Sequence, residues 1–222
     1  MQNHMNNLID VIKPVTFASE INLALSELLN EDSNVVVGGQ LVRYGVAGLT
    51  TGLFAKFPSQ LITYSVSESL MNSSAMGLAL AGKRVVMMHV RMDFLASGMC
   101  ALVNHVPIWS TKGVKLPITY ICQVGKGMGQ GAQHSKDLTR WFKEFQGWTV
   151  CVPQTPKEAY AMLKESVKGD KPVMYVLHRE LFDAIEGKKI SEAGPIRLCG
   201  ASQRHEQLFY GDSFISGESK IK

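Results

Sequence analysis

Apolar and polar positions alternate along this chain in two distinct rhythms. Residues 16–30, TFASEINLALSELLN, place Phe17, Ile21, Leu25 and Leu28 at three- and four-residue intervals, which predicts a helix with one buried face. Other stretches are apolar without interruption: NVVVGG (34–39), QLITYSV (60–66), KRVVMMHV (83–90), LPITYICQV (116–124), TVCVP (149–153) and KPVMYVLH (171–178). Runs this short read as strands buried on both faces.

Helical patterns fill the gaps between these runs. ESLMNSSAMGLALAG (68–82) is small and apolar nearly all round, so it predicts a buried helix stopped by Gly82. Asp93 is placed to cap a helix with Phe94, Met99, Leu102, Val103 and Val106 facing inward. Ser135 is placed to cap another that carries Leu138, Trp141, Phe142 and Phe145 and ends at Gly147. The segment TPKEAYAMLKESVKG sets Thr155 at the N-cap, Pro156 at N1 and Glu158 at N3, a capping box. Buried strands alternating with helices predict an α/β fold, a three-layer sandwich with a mainly parallel central sheet flanked by helices. The periodicity supports an N-terminal arm (1–14), one domain (15–183) and an irregular tail (184–222) suited to subunit docking.

Composition narrows the class. A chain of 222 residues with 45% hydrophobic content suits one domain with a sizeable core. The net charge of +4 is scattered, so no nucleic-acid footprint is expected. No apolar run approaches the ~20 residues of a membrane span, and the N-terminus lacks the pattern of a secretory signal. Cys100, Cys122, Cys151 and Cys199 form no C-x-x-C pair and read as buried thiols of a reducing, cytoplasmic setting.

Chemistry is concentrated where strands end. GKGMGQGAQHSKDL (125–138) follows a strand and invites a phosphate-loop reading, but no G-x-x-x-x-G-K-[ST] is present. A dinucleotide fingerprint through Gly127, Gly129 and Ala132 lacks the acid that should end the next strand. His134, beyond the C-terminal end of a strand, is either a surface histidine or a base at a ligand cleft. Glu68, at the junction of a strand and a helix, is either a helix-start acid or a functional carboxylate. Arg91, Asp93 and Phe94 close a third strand, whereas His89 and His178 read as satisfied residues within strands. No G-x-S-x-G or H-E-x-x-H motif supports hydrolase chemistry.

Three elements in order carry a family resemblance: Val66-Ser67-Glu68, then Asp93-Phe94, then Gly131-Ala132-Gln133-His134-Ser135. Over residues 33–183 the chain resembles the pyrimidine-binding domain of thiamine-diphosphate enzymes, most closely the β subunit of 2-oxoacid dehydrogenase E1 components. The resemblance implies that Glu68 hydrogen-bonds N1′ of the cofactor's aminopyrimidine and that Val90 and Phe94 pack on that ring. It implies that His134, with Gln133 beside it, faces the 2-oxo acid substrate.

Two departures stand out. The family's acidic pair after the first strand is here Gly39-Gln40, and the C-terminal transketolase-like domain is not represented. No Gly-Asp-Gly motif occurs, so no metal ligand is assigned to this chain. The diphosphate and Mg²⁺ are expected to be held by a separate α-type subunit, in an α2β2 heterotetramer. The implied activity is decarboxylation of a 2-oxo acid, with release or transfer of the acyl-type carbanion. Alternatives are an E1-like oxidative decarboxylase, a split transketolase, or a non-catalytic interaction subunit that keeps the fold.

Overall fold

A computed structural model describes residues 15–185. The arm 1–14 and the tail beyond Ile185 lie outside the described residues, as does Cys199. Six strands form one all-parallel sheet in the order β2-β1-β3-β4-β6-β5. They are β1 (Val35–Gly39), β2 (Leu61–Thr63), β3 (Arg84–His89), β4 (Ile118–Val124), β5 (Thr149–Cys151) and β6 (Val173–His178). In β1, β4 and β6 every residue is buried, which accounts for their unbroken apolar runs. The run at 60–66 delivers a shorter strand than its apolar length suggested, because β2 is an edge strand and leaves the sheet at Tyr64.

Helices cover both faces. On one side α1 (Phe17–Glu31) and α6 (Pro156–Lys168) bury Phe17, Ile21, Leu25, Leu28, Ala159 and Leu163 against Val37, Val86, Ile121 and Tyr175. On the other, α3 (Glu68–Leu80) and the segments around α4 (Val106–Thr111) and α5 (Thr139–Glu144) cover Met87, Tyr120, Cys122 and Val176. A short α2 (Leu53–Lys56) lies between β1 and β2. The three-layer α/β architecture expected from the pattern is the one observed.

Helix ends follow local chemistry. Thr16 and Ser19 close a reciprocal capping box at the start of α1. At α6, Thr155 accepts from the Glu158 amide at 3.2 Å, but Glu158 reaches back to the Gln154 amide rather than to Thr155. The expected box is therefore shifted by one residue on its return half. Gly82 adopts φ +88° and ends α3, with Gly82 N–H donating to Ala79 and Lys83 N–H to Leu78, a Schellman closure. The carbonyl end of α6 is closed differently: the Arg84 guanidinium, from the start of β3, donates to the carbonyls of Val167, Lys168 and Gly169 and pairs with Asp170.

Several expectations are corrected. The helix 68–82 is not buried all round, because Ser69, Leu70, Ser73, Gly77 and Leu80 are exposed. Asp93 does not cap a helix. Residues Met92–Gly98 form tight 3₁₀ turns, followed by a π-turn at Ala101–His105, and α4 starts only at Val106. Leu102 and Val106 do face inward, but Phe94 is 40% exposed and Met99 and Val103 are half-buried. Ser135 caps nothing; its hydroxyl donates to the Gly131 carbonyl, and α5 begins at Thr139, whose amide donates to Asp137. Leu138 and Phe142 are buried as expected, whereas Trp141 points outward. Cys122 and Cys151 are buried free thiols, but Cys100 is exposed.

Candidate active site

The C-terminal ends of β1, β3 and β4 converge on α3, and this edge assembles the cleft. Ser67 caps α3, so Glu68 is its first helical residue. The Glu68 side chain is only 8% exposed. Gln40, immediately after β1, donates from Nε2 to Glu68 Oε1 at 3.1 Å. Ser97, in the turns after β3, lies 3.0 Å from Glu68 Oε2 and 2.8 Å from the Phe94 carbonyl.

Gly98 is what lets that turn reach Glu68. A Cβ there would lie 2.5 Å from Asn72 Nδ2 and 2.8 Å from the Glu68 carbonyl carbon, so any side chain would drive the turn away. Two further bonds pin it: Ser69 Oγ donates to the Ser97 carbonyl and Asn72 Nδ2 to the Gly98 carbonyl. Behind them, His89 Nε2 lies 2.8 Å from Asn72 Oδ1, and its ring stacks near Tyr120. Burial drives the His89 pKa down to about 4, opposed by the Glu68 charge, so the ring is neutral and donates from Nε2. The reading of His89 as a satisfied strand residue therefore matches its surroundings.

The glycine-rich loop is held against the same turns. Gly125 has no room for a side chain, since a Cβ would meet the His134 carbonyl oxygen. The Lys136 amide donates to Asp93 Oδ1 at 2.9 Å, and Arg91 donates to Gln130. His134 sits edge-on to Phe94, with ring centroids 5.4 Å apart. The structure thus brings His134 against Phe94, whose carbonyl shares the Ser97 hydroxyl with Glu68. Val90, half-buried at the end of β3, packs toward the core on the α1/α6 side, and Gln133 is exposed on the His134 turn. The loop carries His134 to Phe94.

The arrangement suits a flat, nitrogen-containing ring. A nearly buried carboxylate can hydrogen-bond a ring nitrogen, while the exposed Phe94 ring offers a stacking surface beside it. Sequence reasoning missed Ser97, Gly98 and Asn72, and met Gln40 only as a departure from a family pattern. Nothing in their local sequence marks contacts made across 26 to 29 residues.

An all-parallel sheet with a nearly buried carboxylate and a histidine-bearing loop at its C-terminal edge is the arrangement of an open α/β domain that binds ligands there. The chain belongs to the family described as "Transketolase, pyrimidine binding domain", whose model matches residues 13–183. It is 27% identical to the acetoin:2,6-dichlorophenolindophenol oxidoreductase subunit beta of Cupriavidus necator, covering 76% of this chain and 54% of that protein. It is 26% identical to the 2-oxoisovalerate dehydrogenase subunit beta of Bacillus subtilis, covering 78% and 55%. Against the mitochondrial pyruvate dehydrogenase E1 component subunit beta of Ascaris suum it is 27% identical, covering 76% and 48%. The chain thus spans about half the length of these relatives. A solved split-gene transketolase, described as an inactive beta4 tetramer, shares the fold with a TM-score of 0.62 at 22% identity, covering 73% of this chain and 50% of that one. Among the described residues, no helix is long and apolar enough to cross a membrane.

Proposed function

We propose that the chain is the β-type subunit of a heteromeric thiamine-diphosphate enzyme that decarboxylates a 2-oxo acid. The observation that carries this reading is the Glu68 carboxylate, nearly buried at the start of α3 and tied through Ser97 to Phe94, whose ring meets His134. When bound, the cofactor supplies an electron sink for the carbanion left by loss of CO₂. Glu68 holds and exchanges a proton at N1′ of the aminopyrimidine. Phe94 bounds the ring, and His134, with Gln133 beside it, orients the substrate or moves a proton to it, while Val90 packs on the α1/α6 side instead.

An α-type partner carrying Gly-Asp-Gly supplies the Mg²⁺ and diphosphate site, in an α2β2 assembly. This division of labour accords with the absence of that motif from the sequence given. We also propose a cytoplasmic location, on the reading of Cys100, Cys122 and Cys151 as free thiols of a reducing compartment.

The test is co-expression with such a partner, addition of thiamine diphosphate and Mg²⁺, and measurement of CO₂ release from a panel of 2-oxo acids. Glu68→Gln is expected to lower turnover by about 10² or more while assembly persists. A fully active Glu68→Gln complex would falsify the assignment. An assembled complex that binds no thiamine diphosphate would instead favour an interaction subunit.

A further inference from the structure

Glu68 has two polar neighbours of different kinds. The Gln40 amide nitrogen can only donate, so Oε1 is an acceptor whatever the state of the carboxyl. The Ser97 hydroxyl lies within hydrogen-bond distance of both Glu68 Oε2 and the Phe94 carbonyl. It has one proton and cannot donate to both. Two arrangements are open to the pair without moving a heavy atom. With Glu68 ionised, Ser97 donates to Oε2. With Glu68 protonated, Oε2–H donates to Ser97 Oγ, and Ser97 donates to the Phe94 carbonyl. Uptake of one proton at Oε2, with rotation of the Ser97 hydroxyl toward the Phe94 carbonyl, converts the first into the second.

We propose that Ser97 is a positioning residue that serves both protonation states of Glu68, with the exchangeable proton on Oε2 and Gln40 fixing Oε1 as an acceptor. The proposal rests on the reading above, in which Glu68 exchanges a proton with the cofactor. Gln40 occupies the position of the family's acidic pair, and an amide there has no proton to release. Ser97, which is exposed, is therefore the hydroxyl neighbour left to Glu68. The other titratable groups at this junction do not replace it. His89 on β3 is kept neutral by burial, and Asp93 in the turn accepts from the Lys136 amide through Oδ1 while its buried Oδ2 has no partner among the described residues.

The test uses the full heteromeric complex with thiamine diphosphate and Mg²⁺, and three readouts. For Ser97→Ala, the cofactor Kd should stay within about threefold, while deuterium exchange at the cofactor C2 falls about tenfold. The acidic limb of the exchange profile should move up by about one pH unit, because a bond to the charged carboxylate is worth more than one to the neutral acid. Ser97→Thr, which keeps the hydroxyl, should restore both. In the chain alone, the ¹³C-glutamate infrared band assigned to Glu68 by its loss in Glu68→Gln should shift in Ser97→Ala. An unshifted band, unchanged exchange in Ser97→Ala, or a threonine variant as impaired as alanine overturns the proposal. Failure of the unmodified complex to bind the cofactor would sink the functional reading instead, leaving the infrared result to judge the Ser97 contact by itself.

Discussion

His89 shows how one residue behind the cleft ties acidity to stability. Its folded-state pKa, about 4, lies below the ~6.5 of an exposed imidazole, because burial penalises the charged ring more than Glu68 favours it. The unfolded chain therefore takes up this proton first. Its contribution is fully present above about pH 6.5 and is lost as pH falls toward 4, amounting to roughly 3 kcal/mol across that window. His89→Gln, which keeps an amide donor for Asn72, should flatten this part of the profile. Urea unfolding at pH 7 and pH 4.5 measures it, and an unchanged difference between the two would reject His89 as the source. Glycine 98 acts at the same scale through space alone. Neither contact was legible in the sequence: a histidine inside an apolar run looks the same whether or not an asparagine lies beneath it.

Legibility differed by element. The strands were readable because burial on both faces writes itself as an unbroken apolar run in β1, β3, β4 and β6. The segments after Asp93 and Ser135 were not, because Asp93 bonds distant backbone and Ser135 bonds back to Gly131, neither serving the helix after it. Asp93 accepts from Lys136, 43 residues on, so the cap that its position suggested never forms. The loop 125–136 is held by that bond, by Arg91 to Gln130 and by the Phe94–His134 contact. Gly125→Ala should displace His134 through the clash with its carbonyl oxygen. Turnover is then expected to fall tenfold or more with the assembly intact, since small misplacements of a reacting group are costly. Turnover within twofold of the parent would show that the loop tolerates the shift. Glu68, Phe94 and His134 were legible through the family resemblance. The hydrogen bonds that govern Glu68 were not, because they depend on how closely the turn at Ser97 approaches α3.

At the scale of the whole domain, the sheet separates two cores. Ile21 lies in the α1/α6 layer and Ile118 in the α3 layer, both fully buried. Each Ile→Val change should cost about 0.5–1.5 kcal/mol. Lacking shared partners, the two should add to within about 0.5 kcal/mol in the double variant, read from urea midpoints. Strong coupling would mean that strain crosses the sheet. Arg84 works against that separation along the chain rather than through the layers. It joins the entry of β3 to the exit of α6 over 83 to 86 residues, and with Asp170 it forms a long-range seam. Sequence neighbours cannot supply these bonds, so they form only after β3, β4 and β6 have aligned. The last turn of α6 therefore reports completion of the fold: its amides should gain protection from solvent exchange only as the second half of the sheet docks on the first.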